Sequence, residues 1–168
     1  MGTPVIHCLH DKLVATSALK PHPKNRNKHS AEQIERLAKV IAYQGWRYPI
    51  KVSKRSGFIT SGHGRLEAAK RNGWKKVPVN FQDYETDEQE YADCVADNSI
   101  ASWSELDLSG INSDIGDLGP DFDVELLGLK DFTLDVPNFD EPDQKGDPTL
   151  KEPQLKICPH CGVVIECG

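Results

Sequence analysis

Two glycines flank a histidine and are followed at once by an arginine in Ser61-Gly62-His63-Gly64-Arg65. A short apolar run from Gly57 to Thr60 leads in, and a stretch of good helix formers leads out. A strand that enters a glycine-rich turn and then a helix is a natural anion site. Glycine lets the backbone approach an anion, and the N–H groups of the first helical turn have no partners of their own. Arg65 adds a planar donor fork suited to phosphate. His63 is the one group in this turn that could serve as general acid or base. Asn25 and Arg26, in the Pro/Asn-rich stretch 21–27, are expected to be a second set of donors facing the turn. Asp97 and Asn98 offer oxygens to a hard cation such as Mg²⁺, although an asparagine at a helix end is equally a simple C-cap.

A second grouping lies near the C-terminus. Cys158-Pro159-His160-Cys161-Gly162 has the C-x2-C-G spacing of a zinc knuckle, two thiolates on a tight turn that glycine permits. Cys167 makes a third ligand. A structural zinc needs a fourth, and His7, Cys8 or His10 is a candidate alongside His160, a water or another chain. Such an ion would staple structure rather than catalyse.

Charge divides the chain. Residues 1–82 carry 16 Lys/Arg against 4 Asp/Glu, and residues 83–168 carry 4 against 22, for a net charge of −6. A basic front half favours phosphate-rich ligands. The acidic rear half is either a solvated tail or an intramolecular competitor for the basic surface. Five cysteines are too few and too unevenly spaced for a disulfide framework. No stretch approaches the roughly 18 apolar residues of a membrane span. The N-terminal residues lack an apolar signal segment, so a cytoplasmic location and no membrane partner are expected.

The elements that must position these groups follow from spacing. Lys12 to Leu19 reads as a first strand. Ser30 caps a helix with Gln33 as capping-box partner, Ile34, Leu37, Ala38 and Ile41 form its apolar stripe, and Gly45 ends it. Trp46 and Tyr48 could stack on a base but are expected in the core, and Ile50–Ser53 is a strand. Lys54–Gly57 turns the chain into the central strand, and Arg65 opens the next helix. Val77 to Phe81 is a further strand. Thr86 caps a helix expected to bury Tyr91, Cys94 and Val95. A capped helical segment from Ser102 to Ile115 and a short one over 122–127 complete the ordered part.

Residues Leu13 to about Asn98 resemble the N-terminal domain of the ParB/sulfiredoxin superfamily in its phage-type form. The matching pieces are Leu19-Lys20-Pro21-His22-Pro23-Lys24-Asn25, the helix from Ser30, Gly45 before Pro49-Ile50, Ile59 to Ala69, Val77-Pro78-Val79 and Ala96-Asp97-Asn98. The resemblance implies an α+β fold: a ParB/sulfiredoxin-like small mixed sheet with packed helices over 12–100. A helical extension over 101–129, an acidic disordered linker over 130–153 and the zinc-knuckle tail over 154–168 would follow. It implies a nucleoside triphosphate, CTP or ATP, with Mg²⁺ near Asn98 and phosphates at Gly62, His63, Gly64 and Arg65. The chain departs from partition proteins, which have a glutamate and two arginines where it has His63, Gly64 and Arg65. It has Ala101 where they have an arginine, and it lacks the box cysteine of sulfiredoxins.

The expected function is a nucleotide- or DNA-phosphate-binding protein in phage or plasmid DNA metabolism. Its expected partners are nucleotide and DNA, with a second copy or another phage or host DNA-processing protein. One alternative is a metal-dependent nuclease or phosphoryl-transfer enzyme, with His63 as acid or base and Asp97 or Asn98 on Mg²⁺. Another is an acidic DNA mimic.

Overall fold

The computed structural model describes residues 4–130 and 132, together with the backbone of two strands at 154–157 and 164–167. The chain divides into two compact units, Met1–Thr133 and Leu134–Gly168. The first is an α+β fold built on one mixed five-stranded sheet. Its strands are β1 (Lys12–Ala15), β2 (Lys20–Pro21), β3 (Ile50–Ser53), β4 (Phe58–Ser61) and β5 (Lys76–Gln82), in the order β1-β5-β3-β4-β2. β1 and β5 are antiparallel, β5 and β3 parallel, β3 and β4 antiparallel, and β4 and β2 parallel.

Four helices accompany the sheet: α1 (Ala31–Gln44), α2 (His63–Arg71), α3 (Asp87–Ser99) and α4 (Leu108–Ile115). Ser30 accepts the Gln33 N–H at 3.0 Å to start α1, while the Gln33 side chain turns to His29 Nδ1 instead of closing the capping box. Gly45 ends α1 at φ 75°, with the Val5 carbonyl 2.5 Å from where a Cβ would stand. The N-terminal segment can press there only because the residue is glycine. The core holds Ile50, Ile59, Leu66, Val77 and Val79 from sheet and α2, all with essentially no exposure. Each such side chain stabilises the fold by about 1.5–3 kcal/mol. Trp46 joins them edge-on to Trp74, ring centroids 6.0 Å apart, whereas Tyr48 is exposed.

Several expectations needed correction. The strand expected over 12–19 is two short strands joined by a 3₁₀ turn at Thr16–Ala18, which starts as the Thr16 N–H makes the ladder's last bond, to the Lys75 carbonyl. α2 starts at His63, two residues before Arg65, since Gly62 takes the left-handed conformation at φ 96° and serves as its N-cap. α3 buries Glu90 and Cys94, leaving Tyr91 and Val95 exposed. The helix expected over 102–115 breaks into a 3₁₀ turn at Ala101–Trp103 and α4, which Asp107 caps through the Gly110 N–H. A last 3₁₀ turn over Val124–Leu127 is closed by Gly128.

In the second unit, β6 (Gln154–Ile157) pairs antiparallel with β7 (Val164–Cys167), Gln154 opposite Cys167. The expected zinc ligands Cys158 and Cys161, and nearly all of the expected linker, lie outside the described residues. No helix of the described residues is long and apolar enough to cross a membrane.

Candidate functional site

β4 delivers Ser61 and Gly62 to the start of α2, and three other segments close around that point. The first is the loop between β2 and α1. The Asn25 carboxamide oxygen accepts the Asn27 N–H at 3.1 Å and fixes the loop as an Asx turn. Asn27 Nδ2 then donates to Asn98 Oδ1 at 2.9 Å, tying the loop to the end of α3. Arg26, between them, is exposed. The second is the C-terminal turn of α3, where Asp97 Oδ2 accepts from the Ser61 hydroxyl at 2.7 Å and Oδ1 lies 3.4 Å from Lys51 Nζ. The third is α1 with the residue before its cap, whose approach depends on Gly64: a Cβ there would lie 3.2 Å from His29 Cε1 and 3.4 Å from Leu37 Cδ2.

Between loop and helices lies a cavity of about 610 Å³. Asn25, Asn27, His29 and His63 line one part of it, and Lys70 and Arg71 another. Both cations have carboxylate partners, Glu67 at 2.8 Å and Glu35 at 2.7 Å. Of the sequence-predicted residues, Asn25 and His63 line the cavity and Asn98 is bonded to its wall through Asn27, whereas Arg26, Gly62, Gly64 and Arg65 do not line it and Asp97 is bonded to Ser61 and Lys51 outside it. Sequence reasoning passed over Asn27, His29, Lys70 and Arg71. Asn27 carried a usable signal, standing two residues beyond Asn25 where an Asx turn seats its partner.

His63 and Arg65 are held by the protein itself. His63 is 9% exposed, and its Nε2 accepts the His22 N–H at 3.2 Å. Burial, with His22 and His29 nearby, lowers its pKa to about 4, so the ring is neutral near pH 7 with its proton on Nδ1. Arg65 folds back across the turn. Its Nη2 donates to the Pro49 carbonyl at 3.2 Å and to Ser61 Oγ at 3.4 Å, while its buried Nε has no partner. Burial pushes the guanidinium pKa down and Asp97 opposes that. A Cβ on Gly62 would stand 2.9 Å from Arg65 Nη2, so the turn needs glycine for the guanidinium as well as for its backbone.

Behind His63 runs a buried polar chain. Glu90, 3% exposed, accepts from the Ser53 and Ser56 hydroxyls at 2.6 Å each, and His22 Nε2 stands 3.4 Å away. The other His22 nitrogen accepts the Lys24 N–H. One glutamate thus links α3, the β3–β4 turn and the loop that covers the site. Among the described residues there is no group of three or more His, Cys, Asp and Glu side chains able to hold a metal, His7, Cys8 and His10 included.

Residues 9–98 match the family described as the ParB N-terminal domain. The chain is 38% identical over 71 residues to the ParB-like nuclease domain-containing protein YnaK of Escherichia coli (strain K12), a match covering 42% of this chain and 80% of that one. The fold resembles C-terminally truncated chromosome-partitioning protein ParB from Caulobacter crescentus complexed with CTP-gamma-S, with TM-score 0.54 and 23% identity. That likeness covers 64% of this chain and 61% of the other, so the chain spans about three-fifths of the ParB structure's length. The C. crescentus protein complexed to the centromeric parS site matches with TM-score 0.45 and 21% identity over 58% of this chain and 51% of that one.

Proposed function

The chain belongs to the ParB N-terminal domain family, and on that premise we propose that its first unit binds a nucleoside triphosphate, CTP or ATP, and works with DNA as its partner in phage or plasmid DNA metabolism. The observation that carries the reading is the cavity of about 610 Å³ beside the α2 N-terminus, where Asn25 and His63 meet. The phosphates sit at Gly62–Arg65, on the unpaired N–H groups of the first turn. In this reading Arg26, exposed on the loop that covers the cavity, supplies the cation. Arg65 shapes the turn through Pro49 and Ser61 rather than offering a free fork.

Mg²⁺ fits this donor set as a shared ion. It commonly takes one or two carboxylates and completes its shell with phosphates and water, so no cluster of acids is required. Asp97 and Asn98 would hold it by trading their present bonds with Ser61 and Asn27 for the ion, and bound there it would screen phosphate charge. The state of His63 favours binding over hydrolysis. A general base must present a free lone pair to the proton it takes, and Nε2 is already occupied.

Calorimetric titration with CTP and ATP, each with Mg²⁺, tests the reading. One nucleotide should bind, and Arg26→Ala should weaken it about tenfold by removing a charge-assisted bond without lowering the melting temperature. An absence of heat with both nucleotides would overturn the proposal.

A further inference from the structure

Away from the nucleotide cavity, the segment after α4 lies across the outer side of α1. Lys39 Nζ contacts Asp123 Oδ2 at 2.9 Å and also bonds Glu125. Arg36 Nη1 donates to the main-chain carbonyl of Leu129. Phe122, Val124, Leu126 and Leu129 are half-buried, while the acids between them are exposed towards their partners. A groove of about 660 Å³ remains between the two elements, with Leu37 and Val40 on its α1 side and Leu126 and Leu127 on the strap side. Lys28 and Arg36 put positive charge on the α1 side, partly offset by Glu32, whose Oε1 lies 3.4 Å from Arg36 Nη2.

We infer that the outer face of α1 is a docking site for an acidic, leucine-bearing peptide segment, which residues 123–129 occupy in cis. Two features set the chemistry of the occupant. Lys39 takes two carboxylates two residues apart, and Arg36 takes a main-chain carbonyl, which a peptide offers and a nucleic acid does not. The apolar strip between them suits leucines and gives a phosphate backbone nothing to bind. A partner presenting the same pattern would compete with the strap for this face. Exposed ion pairs hold weakly, so the strap is displaceable.

The test uses the full chain and a fluorescein-labelled peptide with the sequence of residues 120–130. Asp123→Asn combined with Glu125→Gln loosens the strap at two exposed positions. Anisotropy should show this variant binding the peptide about tenfold more tightly than the unaltered chain. Adding Lys39→Glu should abolish that gain, and a peptide with all three leucines (Leu126, Leu127 and Leu129) changed to serine should not bind. The inference is overturned if loosening the strap leaves peptide affinity unchanged. Equal binding of the serine peptide overturns it too, as does a duplex DNA oligonucleotide whose affinity rises on loosening the strap by more than the peptide's does. A thermal melt of each variant confirms that it is folded, and Asp123→Lys alone provides a second way to release the strap.

Discussion

Arg65 shows how far one residue's surroundings can redirect its chemistry. Its type and place, next to a glycine pair at a helix start, read as an exposed phosphate donor whose loss would spare the fold. The structure has it half-buried, stacked over Gly62 and bonded to Pro49 and Ser61. Arg65→Ala should therefore destabilise the protein by about 2 kcal/mol, the usual scale for hydrogen bonds from a charged donor. Urea denaturation reads that directly, and an unchanged midpoint would return Arg65 to the surface role. His63 makes a second prediction at this scale. Its folded pKa of about 4 lies below the ordinary histidine value of 6.5, so between those values the unfolded chain binds the proton more readily. The stabilisation is present above pH 6.5 and is lost as pH falls towards 4. Its total is on the order of 1–3 kcal/mol. His63→Gln can still accept the His22 N–H, because its side-chain oxygen stands about as far from Cβ as Nε2 does, and it should unfold with a shallower pH dependence across that window. Neither behaviour was legible in the sequence, because direction and burial of a side chain depend on partners such as Pro49 and His22 that are distant in the chain or bonded through backbone.

At the scale of elements, local chemistry was a good guide wherever it was self-contained. Ser30 and Thr86 cap α1 and α3 by accepting the N–H three residues on, as their spacing implied. Gly45 ends α1 where expected. The sequence misled where a polar residue was needed inside. α3 was read by its apolar spacing, which pointed to Tyr91, Cys94 and Val95; Cys94 is buried as expected, but Glu90 takes the other inner place, because Ser53, Ser56 and His22 supply donors that helical periodicity cannot reveal. Breaking a buried, hydrogen-bonded carboxylate site costs more than its net contribution, since the donors are left unpaired. Glu90→Ala is expected to cost about 3 kcal/mol and to raise amide exchange along α3 and through residues 22–27 together. Exchange confined to α3 would show that the glutamate does not anchor the loop.

Across the whole molecule, charge is arranged as an internal complement. Lys51, Lys54 and Arg55 pair with Asp97, Asp83 and Asp87, and Lys39 with Asp123 and Glu125, so cations of the front half meet acids of the rear half. The split was visible in composition, and intramolecular competition was one of its two readings. Which cations pair was not visible, because it depends on where α3 and the strap come to rest. The order of strands was hidden for the same reason: β5 lies between β1 and β3, a pairing of segments far apart in sequence. The sheet's margins carry a consequence for life at high concentration. One is β2, two residues long and ending in Pro21, which has no N–H to give. The other is β1, which opens on Lys12 and leaves the sheet after four residues. Neither offers another chain a template long enough to zip onto, so this sheet is guarded against amyloid-like stacking at both of its borders.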